Sequence, residues 1–323
     1  MTYSTLSAPA LAQYLAAHYA LNEVVELNFI NRGLNDTYLV TAGDGEKHIF
    51  RVYRSHWRSR TDIAYEIDAL AHLHDKGVAV SQALRRRDGD RLCTFEAPEG
   101  VRCAVLFSFA PGRMPAYDKD GEAMAALYGR SVAKIHNATD SFSTSHQRFP
   151  LDLEHLIGVP LRHVEPVMAH RPADWVYLQG LADKLRAALE SVPLGSLEYG
   201  FCHGDLNGWN AHESDSGALT FFDFDCCGPG WRAYDIAVFR WLARVFEKEE
   251  ERWAAFLKGY KEVREIGQVD IDATSLFVGA RAIWLLGLHA GNARDWSSGW
   301  INEAYLDRAM KFLRSWEGDT LAG

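Results

Sequence analysis

The sequence predicts an α+β chain in two parts: an antiparallel sheet with one main helix over residues 1–109, then a mostly helical part over residues 110–323. Three observations predict it. Short β-branched or aromatic runs separated by turn signals fill the first third. Beyond APGRMP (Ala110 to Pro115), which reads as a hinge, apolar residues recur at helical spacing instead. No internal repeat, low-complexity tract or long linker interrupts the chain, so the parts are expected to form one bilobal unit with the ligand site in the cleft between them.

In chain order, VVELNFI, TYLVTA, HIFRVY, RLCTFEA and VRCAVLFSFA read as strands, parted by the turns RGLND, AGDGE, RDGD and APEG. Between the third and fourth lies RTDIAYEIDALAHLHDKG, where Ile63, Ile67, Leu70 and Leu73 form a helical stripe that Gly77 can end. After the hinge, EAMAALYGRSVAKIHNA places Met124, Leu127, Tyr128, Val132 and Ile135 on one stripe. VYLQGLADKLRAALESV, AYDIAVFRWLARVF, RWAAFLKGYKEV, SLFVGARAIWLLGLHAG and YLDRAMKFLRSWE repeat the pattern. Strands return only around residues 200 to 223.

Composition excludes several classes. A net charge of −9 repels polyanions, so neither nucleic acid nor an anionic membrane is an expected partner. The N-terminus lacks a basic region ahead of its apolar residues, and no long uncharged run follows, so neither a secretory signal nor a membrane span is expected. The five cysteines are odd in number and lack CxxC spacing, which argues against a disulfide framework or structural zinc and for a reducing, cytoplasmic setting.

The chemistry concentrates in FCHGDLNGWN and LTFFDFD. SDSG supplies a turn between NAH and ALTFF, so a hairpin would return Asp223 beside Asn210, with Asp205 as a further carboxylate. An Asn carbonyl and an Asp carboxylate are the few hard oxygen ligands that Mg²⁺ takes when phosphates complete its shell. In HIFRVY, Ile49, Arg51 and Tyr53 share one face. A cation in mid-strand needs a partner, and Glu66, beside the buried stripe of the following helix, is the candidate.

HGDLNGWN followed by DFD resembles the catalytic loop and metal motif of the aminoglycoside phosphotransferase, choline kinase and type II homoserine kinase superfamily, relatives of the protein kinases. The resemblance runs from about Phe29 to Tyr305, and its highly specific part spans residues 203–235. It implies a protein-kinase-like bilobal fold, with a nucleotide-binding lobe over 1–109 and a catalytic, acceptor-binding lobe over 110–323. It also implies ATP, Mg²⁺ and a small-molecule hydroxyl acceptor such as an amino alcohol, homoserine, an aminoglycoside or a sugar.

By the same resemblance Asp205 orients or accepts the proton of the acceptor hydroxyl, and Asn210 and Asp223 hold Mg²⁺. Arg51, where protein kinases carry Lys, pairs with Glu66 and reaches phosphate. The tip NRGLNDT, with Asn35, stands at the phosphate-covering loop, and Phe107 to Phe109 in VLFSFAPGR stand at the adenine hinge. His203 reads as a structural post, Asp235 as a brace of the catalytic loop, and Asp225 as either a second metal contact or a cap. Asn207 stands where family members often have His.

Trp284, His289, Asn292, Trp296, Trp300 and Tyr305 read either as an aromatic cage for an amine or as helix packing, with packing favoured for Trp284. A Ser/Thr protein acceptor, a nucleotide-binding regulator without catalysis, and metal-dependent phosphate hydrolysis are the alternatives. Missing activation-loop and APE signals turn the reading away from the first, and the joint presence of Asp205, Asn210 and Asp223 away from the second. The lack of a second, His-rich ligand set counts against the third.

Overall fold

The computed structural model describes residues 4–115, 121–293, 295 and 300–321. Its early elements are α1 (Ala8–His18), β1 (Val24–Arg32), β2 (Asn35–Ala42), β3 (Lys47–Tyr53), α2 (Arg60–Asp75), β4 (Leu92–Ala97), β5 (Gly100–Ser108) and α3 (Gly121–Thr139). There follow α4 (Val159–Val167), α5 (Pro172–Ser191), β6 (Tyr199–Cys202), β7 (Ala211–Glu213), β8 (Leu219–Phe221), β9 (Gly228–Trp231), α6 (Arg232–Val245), α7 (Glu249–Lys261), α8 (Gln268–Asn292) and α9 (Glu303–Thr320).

Two compact units result: Met1–Arg113 with Phe142–Arg148 and His212–Asp225, and Met114–Ser141 with Phe149–Ala211 and Cys226–Gly323. In the first, all neighbouring strands of the five-stranded sheet β1-β2-β3-β5-β4 are antiparallel. Strand β3 is buried on both faces. Phe50 and Val52 join Leu11, Leu15, Tyr38, Val40 and Leu106 in one core, and Arg51 and Tyr53 point to the other side.

Helix α2 starts at a capping box in which Asp62 N donates to Ser59 Oγ at 3.1 Å and Ser59 N to Asp62 Oδ2 at 2.9 Å. Its buried stripe is the expected Ile63, Ile67, Leu70 and Leu73, with Glu66 at 1% exposure among them. Helix α1 lies outside the one-helix expectation for this part. It is alanine-rich and buries only Leu11 and Leu15, too few for a clear periodic signal.

The turn foreseen in SDSG closes β7 onto β8 through Ser214 N to Ala218 O at 2.9 Å and Gly217 N to Ser214 O at 2.9 Å. Phe221 N donates to Ala79 O at 3.0 Å and Phe221 O accepts from Ser81 N at 2.9 Å, which anchors β8, just ahead of the DFD segment, within the first unit.

In the second unit α8 packs against α4, α5, α6 and α9, and α3 against α7. Helix α8 is long and apolar enough to cross a membrane, with a mean hydropathy of 1.4 over its most apolar 18 residues, but 61% of that stretch is buried within the fold. It is a core helix that buries Asp270 and Arg281 as well. Strands extend past the expected limit at residue 223: β9 pairs with β6, Cys202 opposite Gly228. Gly-Pro-Gly-Trp carries no β-branched signal, so only backbone pairing reveals it.

Candidate active site

On the far side of β3 from its apolar core, Arg51 Nη1 donates to Glu66 Oε1 at 2.8 Å and Nη2 to Asp223 Oδ1 at 3.0 Å. The expected Arg51–Glu66 pair is present, and a third member joins it: Tyr53 Oη donates to Glu66 Oε2 at 2.7 Å. Both oxygens of a carboxylate at 1% exposure are therefore satisfied, as burial of a charge requires. Burial works against the charge on Arg51, but Asp223 and Glu66 outweigh it and raise its pKa well above the ordinary arginine value. The guanidinium also lies 5.0 Å from the Phe107 ring centroid and 5.7 Å from that of Tyr53.

Asp223 adopts φ 61°, an uncommon conformation for a residue with a Cβ, and its side chain is 47% exposed. Asp225 is different. Trp57 Nε1 donates to its Oδ2 at 2.7 Å, Arg58 Nε to its Oδ1 at 3.2 Å, and Arg148 to its carbonyl. Burial pushes this carboxyl up, but Arg58, Arg51 and Arg148 hold it below the usual carboxylate range. Its two oxygens are taken by protein donors, so Asp225 anchors the DFD segment to Trp57 and Arg58.

Asn35 and Asp36 are strand residues opposite Tyr53 and Val52, which leaves only Gly33 and Leu34 at the hairpin tip. Asn35 Oδ1 accepts from Arg54 N at 3.3 Å, and Asp36 is buried against Arg102 at 3.0 Å. Phe107 is buried in β5, whereas Phe109 lies beyond it, 5.7 Å from the His212 ring. His212 Nδ1 bonds Ala110 O at 2.8 Å, and Arg113 and Glu213 exchange backbone bonds, so the hinge segment is stitched to β7.

In the second unit Asp235, fully buried near the start of α6, accepts from His203 N and Gly204 N at 2.8 Å each and contacts His136 Nε2 at 3.1 Å. Burial pushes its carboxyl up, and the bond from His136 together with nearby His203 holds it below the usual range. Asp205 N donates to His203 Nδ1 at 3.3 Å, and Tyr128 Oη to Asn207 O at 2.8 Å. Asn210 Nδ2 donates to Asp205 O at 2.9 Å and Oδ2 at 2.8 Å. That orientation leaves Asn210 Oδ1 as the acceptor end.

Asp205 Oδ1 accepts from Arg281 Nη2 at 2.5 Å, a contact outside the sequence expectations. The signal was a lone cation in the apolar run SLFVGARAIWLLGLH, where burial demands a partner. Arg281 lies 4.6 Å from the Trp284 ring centroid and 5.3 Å from that of Trp241. Trp284 is buried, as expected, and its Nε1 donates to His155 Nε2 at 3.2 Å. His289 Nδ1 bonds Tyr305 Oη at 2.6 Å and meets the Trp300 ring at 4.5 Å, while Asn292 Nδ2 caps Leu288 O at 2.6 Å. Trp296 lies outside the described residues.

Among the described residues no cluster of three or more His, Cys, Asp or Glu side chains could hold a metal ion unaided. Asn210 in the second unit and Asp223 in the first each offer a hard oxygen donor, an amide oxygen and a half-exposed carboxylate, of the kind that Mg²⁺ takes alongside phosphate.

A five-stranded antiparallel sheet with a strand-arginine to helix-glutamate pair, and a helical unit carrying an Asp235-bound HGD loop, define the protein-kinase-like class of folds. The chain belongs to the phosphotransferase enzyme family, whose sequence profile matches residues 26–270. It is 38% identical over 319 residues to an uncharacterised protein of Deinococcus radiodurans, spanning 98% of this chain and 91% of that one. With the amicoumacin kinase of Bacillus subtilis it shares 25% identity over 256 residues, 76% of this chain and 74% of the other. The solved structure of a microcompartment-associated aminopropanol kinase superposes with a TM-score of 0.77 at 25% identity, covering 95% of each chain.

Proposed function

We propose that this chain is an ATP- and Mg²⁺-dependent phosphotransferase that moves the γ-phosphate to a hydroxyl of a small molecule: an amino alcohol, homoserine, an aminoglycoside or a sugar. One observation carries the reading. Within HGDLNGWN, Asn210 Nδ2 sits 2.8 Å from Asp205 Oδ2, so one amide both aligns a carboxylate and offers a hard oxygen from its other end.

Asp205 orients the acceptor hydroxyl and takes its proton as the O–P bond forms. Arg51, held by Glu66, presents a fixed cation to the nucleotide phosphates, and its planar fork suits two anionic partners at once. Asn210 and Asp223 would hold Mg²⁺, which would supply charge to offset that of the transferring phosphoryl group. His203 and Asp235 keep the loop in shape, the Gly33–Leu34 tip beside Asn35 offers backbone amides, and the Phe107 to Phe109 segment reads adenine. Among the acceptors, the similarity to an aminopropanol kinase over nearly all of both chains supports an amino alcohol first.

The test is a screen with radiolabelled ATP against amino alcohols, homoserine, aminoglycosides, sugars and generic protein substrates. Acceptor-dependent transfer to one small-molecule class is expected. Transfer at an undiminished rate by Asp205→Asn would overturn the reading.

A further inference from the structure

We propose that Arg281 is the positioning residue for Asp205, a tethered cation packed against two indole rings that fixes the carboxylate by the oxygen Asn210 Nδ2 does not take. The inference rests on the reading of Asp205 as the residue facing the acceptor hydroxyl. Asn210 takes Oδ2 at 2.8 Å and Arg281 takes Oδ1 at 2.5 Å, while Arg281 Nη1 approaches Gly204 O at 3.4 Å. The carboxylate is thus held at both oxygens yet keeps 21% of its side-chain surface exposed.

The arginine itself has little freedom. It is 2% exposed, lies over Trp284 at 4.6 Å and Trp241 at 5.3 Å, and its Nε is buried without a partner among the described residues. A guanidinium packed against indoles gains cation–π attraction and stays put, whereas a solvated side chain would trade partners. Two consequences follow for catalysis. A fixed cation offsets the repulsion between Asp205 and an approaching polyphosphate, and the carboxylate needs no reorganisation when the hydroxyl arrives. The indole rings of Trp241 and Trp284 are also closed to a substrate amine where the protein's own cation packs against them.

The test uses the full chain, Mg·ATP and whichever acceptor of the panel the parent turns over fastest, with background hydrolysis by water measured alongside. Arg281→Ala is expected to lower kcat about 100-fold while KM for ATP stays within about threefold, since nucleotide contacts are untouched. Guanidinium ion at sub-denaturing concentration should restore kcat at least about tenfold by taking the place of the lost side chain, a response that a general loss of packing would not give. If Arg281→Ala does not fold, Arg281→Lys carries the test. Its compact ammonium cannot serve Asp205 and Gly204 together, so kcat should fall at least about tenfold.

A kcat within about threefold of the parent in the folded variant overturns the proposal, as does a loss that guanidinium does not relieve in Arg281→Ala. A parent that turns over no acceptor, water included, removes the functional reading and this inference together. An active parent with an equally active variant removes only the inference.

Discussion

Arg51 donates to Asp223 Oδ1 at 3.0 Å, joining the middle of β3 to a carboxylate whose backbone lies in the left-handed region. The same guanidinium holds Glu66, so one planar fork serves two anions. Lysine cannot reproduce that geometry. Arg51→Lys should lower kcat/KM for ATP by about 10- to 100-fold and leave KM for the acceptor unchanged, read from initial rates. Arg51→Met leaves Glu66 buried without its cation and should cost about 3 to 5 kcal/mol of stability, read from the urea midpoint.

Asp205 and Asn210 separate in a different assay. Asp205→Asn should reduce kcat by about 10²- to 10⁴-fold while Mg·ATP still raises the melting temperature, because the substitution leaves the oxygen donors at Asn210 and Asp223 in place. Asn210→Ala should reduce both turnover and the thermal shift. Equal thermal shifts in the two variants would contradict the assignment of Asn210 to the metal.

Tyr53 is the member of the first cluster whose contribution is to stability. Its hydroxyl donates to the buried carboxylate oxygen Glu66 Oε2 at 2.7 Å, in place of the water that burial excludes. Tyr53→Phe removes that donor and little volume, and should cost about 1.5 to 3 kcal/mol with an unchanged denaturant slope.

The pH dependence follows from His289. Burial, with Arg281 nearby, lowers its pKa from an ordinary 6.5 to about 4. A histidine held neutral in the fold titrates first in the unfolded chain, so stability is full above about 6.5 and falls as the pH drops to about 4, below which the loss levels off. The loss amounts to about 3 kcal/mol. His289→Gln keeps a polar partner for Tyr305 without a titrating ring, and should flatten that limb of a stability-against-pH curve. An identical curve would show that the buried carboxylates, not His289, set the acid limb.

Much of the fold is legible because its elements carry their own signals. β-branched and aromatic runs mark β2 and β3, the stripe of Ile63, Ile67, Leu70 and Leu73 marks α2, and stripes mark α3, α5 and α9. Helix α1 and strand β9 are silent for opposite reasons: one buries too few side chains, the other is held by backbone pairing alone. At the candidate site, Arg51 and Glu66 are legible because a buried charge needs a partner within one local unit. Arg281 is harder because its partner lies 76 residues away, and sequence spacing carries no information about such a contact. Trp57, Arg58 and Arg148, which hold Asp225, share that difficulty.

Gly204 offers the sharpest separation of backbone strain from steric conflict. It has φ 79°, and a Cβ there would lie 2.3 Å from Cys226 O. Gly217, in the β7–β8 turn, has φ 77° with nothing within 4 Å of the same position. Alanine at Gly217 therefore meets only the left-handed backbone penalty, about 1 to 2 kcal/mol. Alanine at Gly204 meets the same penalty and must also displace a carbonyl or give up the bond from Gly204 N to Asp235, which pulls on Asp205 next door. Gly204→Ala should cost at least about 3 kcal/mol and lower kcat more than about tenfold, while Gly217→Ala leaves kcat unchanged. Equal losses of stability in the two variants would mean that backbone conformation alone, and not the close approach to Cys226, dictates glycine in the HGD loop.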